Sequence, residues 1–204
     1  LKIRPPQFWR LYMPLSTPVK RNLIHTREIR CMGYEREDGL WDIEGRITDT
    51  KTYSFSNFDR GEVSAGMPVH DMLIRLTIDA DLVVQKAEAL TASAPFHICP
   101  AINGNVAALK GLKITSGWRR NVQAAIGGLK GCTHISQLLT GPLATTAYQS
   151  IIPRQNQKKN TMKDKSKKKN QRPAVINTCH AFDANGENVK RIWPEFYEGN
   201  NNSK

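Results

Sequence analysis

The stretch Trp41-Asp42-Ile43-Glu44-Gly45-Arg46-Ile47-Thr48, set within Gly39 to Thr52, decides the fold, because apolar or small residues alternate in it strictly with charged and polar ones. Successive residues of a strand point to opposite faces. The pattern therefore predicts a strand with Trp41, Ile43, Gly45 and Ile47 on a core face and Asp42, Glu44, Arg46 and Thr48 in water. Ile24 to Tyr34 reads as the strand before it, joined at Glu35 to Asp38. Met72 to Thr77 alternates again, and Asp79-Ala80-Asp81 turns it into Leu82 to Leu90, a second hairpin.

Helical spacing follows at Ile98 to Leu109, with Pro100 in a first turn that tolerates it, at Leu112 to Ile126 and at Thr133 to Ile152. The last of these buries Ile135, Leu138 and Leu139, and Gly141-Pro142 must kink or divide it. Val175 to Ala181 and Val189 to Trp193 flank Ala184-Asn185-Gly186, a hairpin signal. The expected fold class is α+β: an antiparallel sheet with helices packed on one face and a C-terminal β-hairpin. The expected organisation is an extended arm over 1–23, broken by Pro5, Pro6, Pro14 and Pro18, then an α+β domain over 24–153. A basic disordered insert over 154–173, a hairpin over 174–198 packing back on the domain and a disordered tail over 199–204 complete it.

The chain has 204 residues, 39% of them hydrophobic, enough for one domain with a core of its own. No run reaches the roughly 18 apolar residues of a membrane span, and Leu1 to Arg10 is not shaped like a signal peptide. Cys31, Cys99, Cys132 and Cys179 are too few and too scattered for a disulfide scaffold. A cytoplasmic protein with reduced thiols and no membrane partner is expected. The net charge of +12 is uneven: Arg154 to Arg172 holds nine basic residues against Asp164, and the remaining 21 basic and 17 acidic residues nearly balance. That run contains no aromatic residue for stacking on bases. It reads as a solvated linker, with non-specific nucleic-acid attraction through Lys158 to Lys169 as a by-product.

Phosphate-loop, dinucleotide, nucleophile-elbow and zincin motifs are all absent. What remains is a set of soft and borderline donors in pairs: His70 with Asp71, His97 with Cys99, Cys132 with His134, and Cys179 with His180. Thiolate and imidazole suit zinc or iron, provided three or four converge. Taken singly, each cysteine is more simply a small buried hydrophobe and each histidine a satisfied polar group. Cys132, in Lys-Gly-Cys-Thr-His at an expected helix start, is the best nucleophile candidate; it needs His134 or another base within reach, and since residues two apart at a helix start do not face each other, a base from elsewhere in the chain is expected. Arg36, Asp38, Asp42, Glu44, Arg46 and Asp49 could line a polar site on the sheet, although such a face is usually just solvated.

At HTREIRCMGYEREDGLWDIEGRITDTK (His25 to Lys51), HDMLIRLTID (His70 to Asp79), GCTHISQLL (Gly131 to Leu139) and NTCHAFDANGENVKRIWPEFYE (Asn177 to Glu198), the chain resembles the uncharacterised bacterial family catalogued as domain of unknown function 2889. The resemblance implies a cytoplasmic bacterial protein and brings no activity with it. In element order the chain is also similar to U-type iron-sulfur scaffold proteins, with Val69-His70-Asp71, Cys99 and Cys132 in the places of their three cysteines. The first cysteine is absent here and Asp71 alone matches outright, so mononuclear zinc or iron is what this similarity leaves. The leading expectation is a metal-binding accessory or scaffold-like protein, with Cys132, Cys99 and His70 or Asp71 as ligands and Cys179 as a fourth. A thiol-dependent enzyme built on Cys132 is one rival. The other is a module that binds nucleic acid or an acidic protein partner through the lysine run.

Overall fold

The structure, a computed structural model, describes residues 16–161, 172–173 and 175–199. Strand β1 (His25–Glu35) pairs antiparallel with β2 (Trp41–Lys51), and a small hairpin of β3 (Phe55–Asn57) and β4 (Gly61–Val63) follows. Strands β5 (Pro68–Ile78) and β6 (Val84–Ser93) complete a four-stranded antiparallel sheet in the order β1-β2-β5-β6. The predicted alternation of β2 is present residue for residue: Trp41, Ile43, Gly45 and Ile47 are buried and their neighbours are more open. Register carries the same face across the sheet, since Ile47 stands beside Met72, Gly45 beside Ile74 and Ile43 beside Leu76.

Against this face pack a 3-10 helix (Cys99–Leu109), α1 (Trp118–Ile126), α2 (Thr133–Leu138), a π-helical turn (Leu139–Leu143) and the start of α3 (Ala144–Thr161). Leu109, Val122, Ile126, Ile135, Leu138, Leu143 and Ile151 close the core over the sheet. Each such side chain contributes about 1.5–3 kcal/mol by leaving water. The opposite face carries cross-strand ion pairs, Arg46 with Asp71 at 2.6 Å and Arg75 with Glu44 at 2.6 Å. The antiparallel sheet and its helical cover are thus as expected for an α+β protein.

Several local expectations change. The helix expected from Leu112 begins only at Trp118, because Lys113 is held in a bridge to Val83 and Gly117 takes a left-handed φ of 89° ahead of the first turn. Pro142 widens the chain into the π turn, where the buried Trp118 Nε1 donates to the Leu139 carbonyl at 2.8 Å. Helix α3 continues through Pro153 to Thr161, so the basic segment begins as helix; its centre, 162–171, and the arm over 1–15 lie outside the described residues. The chain divides into two compact units, Leu1–Gln155 and Asn156–Lys204. No strand occurs among the described residues of the second, which overturns the expected C-terminal hairpin. Its Asn185-Gly186 pair lacks the positive φ that a tight hairpin turn requires. Instead Asp183 Oδ1 accepts from Asn185 N at 2.9 Å, and Gly186 opens helix α4 (Glu187–Ile192) over Ile176, Ala184 and Val189. No helix among the described residues is long and apolar enough to cross a membrane.

Gly45 allows the close approach of helix to sheet, since a Cβ there would lie 3.1 Å from Leu143 Cδ2 with two more Leu143 carbons within 3.3 Å. Gly45→Val is expected to cost about 1–3 kcal/mol by overpacking. In thermal denaturation that corresponds to a fall in Tm of about 2–12 °C for a chain of this size.

Candidate functional site

The alternation that buries Trp41, Ile43, Gly45 and Ile47 has one more step, and that step is Asp49. Its side chain is 1% exposed. The same parity on β5 puts His70 on the core face, directly beside Asp49 in register, and Arg27 of β1 stands on its other side. A carboxylate buried on a core face must be satisfied by partners, and Asp49 has four contacts. Arg27 binds it with both prongs, Nε to Oδ1 at 2.7 Å and Nη2 to Oδ2 at 2.7 Å. His25 Nε2 lies 3.0 Å from Oδ1, and His70 Nδ1 lies 3.0 Å from Oδ2.

The third imidazole comes from α2. His134 Nε2 is 3.7 Å from Asp49 Oδ2, and its ring lies 3.9 Å centroid to centroid from that of His70. Its other nitrogen, Nδ1, is 3.7 Å from Cys132 Sγ, which also touches Met72 Sδ at 3.7 Å. Residues two apart do not meet on a helix, but Cys132 stands just ahead of α2 in extended conformation, with φ −112° and ψ 135°, and its thiol folds back onto His134. Arg27 Nη1 reaches Gln137 Oε1 at 3.0 Å, tying the group to the second turn of α2.

Among the described residues, Asp49, His70 and His134 are the one group of three metal-ligating side chains whose donor atoms lie within 4.8 Å of one another. Burial on its own would raise the Asp49 carboxyl. Hydrogen bonds from Arg27 and His25, with the Arg27 charge, outweigh it and hold the carboxyl well below the usual carboxylate range. Burial pushes the His70 imidazole down against the pull of Asp49. It pushes His134 down as well, helped by the charges of His70 and Arg27. The site thus offers an anionic carboxylate and two neutral imidazoles near neutral pH, the protonation states in which these groups ligate metals.

The expected ligands fare differently. His70 and His134 come together and Cys132 adjoins them, but it meets the nitrogen of His134 that faces away from Asp49. Asp71 follows His70 by one residue and so points through the opposite face, where Arg46 holds it with contacts of 2.7 and 2.6 Å. Cys99, half-buried at the start of the 3-10 helix, joins no group of three donors, and Cys179 is exposed in the second unit. The scaffold similarity loses its one outright match with Asp71. Of the acidic and basic residues assigned to a wet face, Asp38, Asp42 and Glu44 do make exposed pairs with Arg36 and Arg75. Asp49 does not belong with them. Its odd position, in phase with Trp41 to Ile47, was the signal that places it inside.

These features define an α+β protein whose helix-covered sheet ends in a buried carboxylate ringed by histidines. The chain belongs to the family described as protein of unknown function (DUF2889), which matches residues 25–149. Those residues contain His25, Arg27, Asp49, His70, Cys132 and His134, and exclude Cys179. No curated protein and no solved structure matches the chain significantly.

The lowered pKa of His70, His134 and Asp49 fixes a sign. Each group binds fewer protons folded than unfolded, so its contribution is present above its unfolded pKa and is lost as pH falls through the folded one. The imidazoles act first, below their unfolded value of about 6.5, and Asp49 follows below about 3.9. Tm measured from pH 8 to pH 5 is expected to fall on acidification, and to fall less steeply in the double variant His70→Gln/His134→Gln.

Proposed function

We propose that this is a metal-binding protein that holds one zinc or iron ion through Asp49, His70 and His134. The observation that carries the reading is the convergence of their donor atoms within 4.8 Å on elements far apart in sequence, β2, β5 and α2. Two imidazoles and one carboxylate suit a borderline divalent ion, and three protein ligands leave a position open for water or substrate. Ligation through Asp49 Oδ2 would replace its contact with His70 Nδ1. Arg27 and His25 would remain on the carboxylate as its outer hydrogen-bond partners, a support that metal-binding carboxylates commonly have. Ligation through His134 Nε2 would leave Nδ1–H directed at the Cys132 sulfur, making the thiol an outer partner of the site rather than a ligand.

Protein purified without chelator is expected to contain close to one equivalent of zinc or iron by elemental analysis. His134→Ala and His70→Ala should each lower occupancy after dialysis by at least tenfold, since each removes one of three ligands. Asp71→Asn and Cys99→Ala should leave it unchanged. Metal-free wild-type protein that takes up neither zinc nor iron on titration would overturn the reading.

A further inference from the structure

We propose that the cleft between α1 and the start of α2 binds a small organic carboxylate and presents it to the Cys132 thiol. The cleft holds about 280 Å³ and is lined chiefly by Arg119, Gln123, Cys132, Ser136, Gln137 and Thr140. At roughly 30 Å³ per water-sized group, that is room for a molecule of about nine such groups. No carboxylate lines it. Arg119 brings the cleft its one formal charge, and among the described residues no acid pairs with this guanidinium.

Gln137 turns the buried site into part of this cleft. Its Oε1 accepts from Arg27 Nη1 at 3.0 Å, and because arginine only donates, the amide oxygen must face Arg27 and the NH2 end is left to donate elsewhere. A guanidinium fork, an amide NH2 and the Ser136 hydroxyl together favour an acceptor-only, planar anion. A single positive charge matches a monoanionic carboxylate, whereas a phosphate dianion would bring a second charge with no partner.

Cys132 supplies the reactive atom. Cys132 lines the cleft, and its Sγ lies 3.7 Å from His134 Nδ1. On a carboxylate with a leaving group at its neighbouring carbon, the sulfur attacks that carbon as the S–C bond forms. The leaving group departs with the electron pair of the broken bond, and the thiol proton goes to His134 or to solvent.

Iodoacetate is such a carboxylate, and iodoacetamide is its neutral counterpart. Alkylation of each cysteine is followed by mass spectrometry on the full chain, as purified and again after chelator treatment, with Cys99 as internal reference. Cys132 is expected to react with iodoacetate at a rate that saturates with concentration, and to favour iodoacetate over iodoacetamide at least tenfold more than Cys99 does. Arg119→Gln should remove the saturation and the preference, while iodoacetamide reports the thiol alone and an unchanged Tm reports the fold. Propionate, a monoanion, should protect Cys132 in wild type and not in the variant. Non-saturating alkylation that Arg119→Gln leaves unaltered, a Cys132 inert to both reagents, or better protection by inorganic phosphate than by propionate would each overturn the proposal. The result does not depend on metal content, so its failure and the failure of the metal reading are separable.

Discussion

One buried ion pair organises this molecule: the Asp49 carboxylate on the core face of the sheet, held by both prongs of Arg27 at 2.7 Å each. An unpaired carboxylate at 1% exposure would protonate or force the strand to turn over. The guanidinium lets it stay charged among apolar neighbours, and His25 and His70 take up its remaining acceptor sites. Breaking such a pair from one side leaves an uncompensated charge. The three strands that supply these residues are therefore bound to one register at this end of the sheet, and Gln137 ties α2 to the same guanidinium.

From that carboxylate a chain of hydrogen-bonding choices runs outwards. His70 meets it through Nδ1 and His134 faces it through Nε2, so the two stacked rings present different nitrogens to one oxygen. What His134 does at Nε2 sets whether its Nδ1 accepts from or donates to Cys132, and Arg27 likewise sets which end of the Gln137 amide faces the cleft. Arg27 links the acid to the cleft through hydrogen bonds, and His134 stands between the acid and the thiol at 3.7 Å from each.

Much of the fold was legible because it rests on local periodicity. The strict alternation of Trp41 to Thr48 yields both the strand and its faces, and Asp79-Ala80-Asp81 yields the β5–β6 turn because Asp79 Oδ1 accepts from the amides of Asp81 and Val83. The C-terminal region was misread because Asn-Gly opens hairpins only when its φ angles are positive, and the neighbouring Asp183 diverts the chain into a helix first. The site was half legible. His70, Cys132 and His134 stand out by residue type, but Asp49 looks like one more surface acid until the parity of β2 is carried one step past its last apolar residue. Asp71 failed for the same reason in reverse, since the residue after an inward histidine must face out. Arg27 carries no motif at all, and only the register of β1 on β2 puts it beside Asp49.

Strand β1 lies at the edge of the sheet, paired on one side by β2 and, among the described residues, by no strand on the other. It carries both His25 and Arg27, so three of the four contacts on the buried carboxylate hang from an element held by a single ladder. Edge strands open locally at a lower free energy than the strands they flank. When β1 lifts, Asp49 loses both prongs of Arg27 and the His25 contact in the same event, and with them the interactions that hold its carboxyl low. Amide exchange along His25 to Glu35 thus reports how often the site opens, and the lifetime of that one strand sets how long Arg27 stays on the carboxylate.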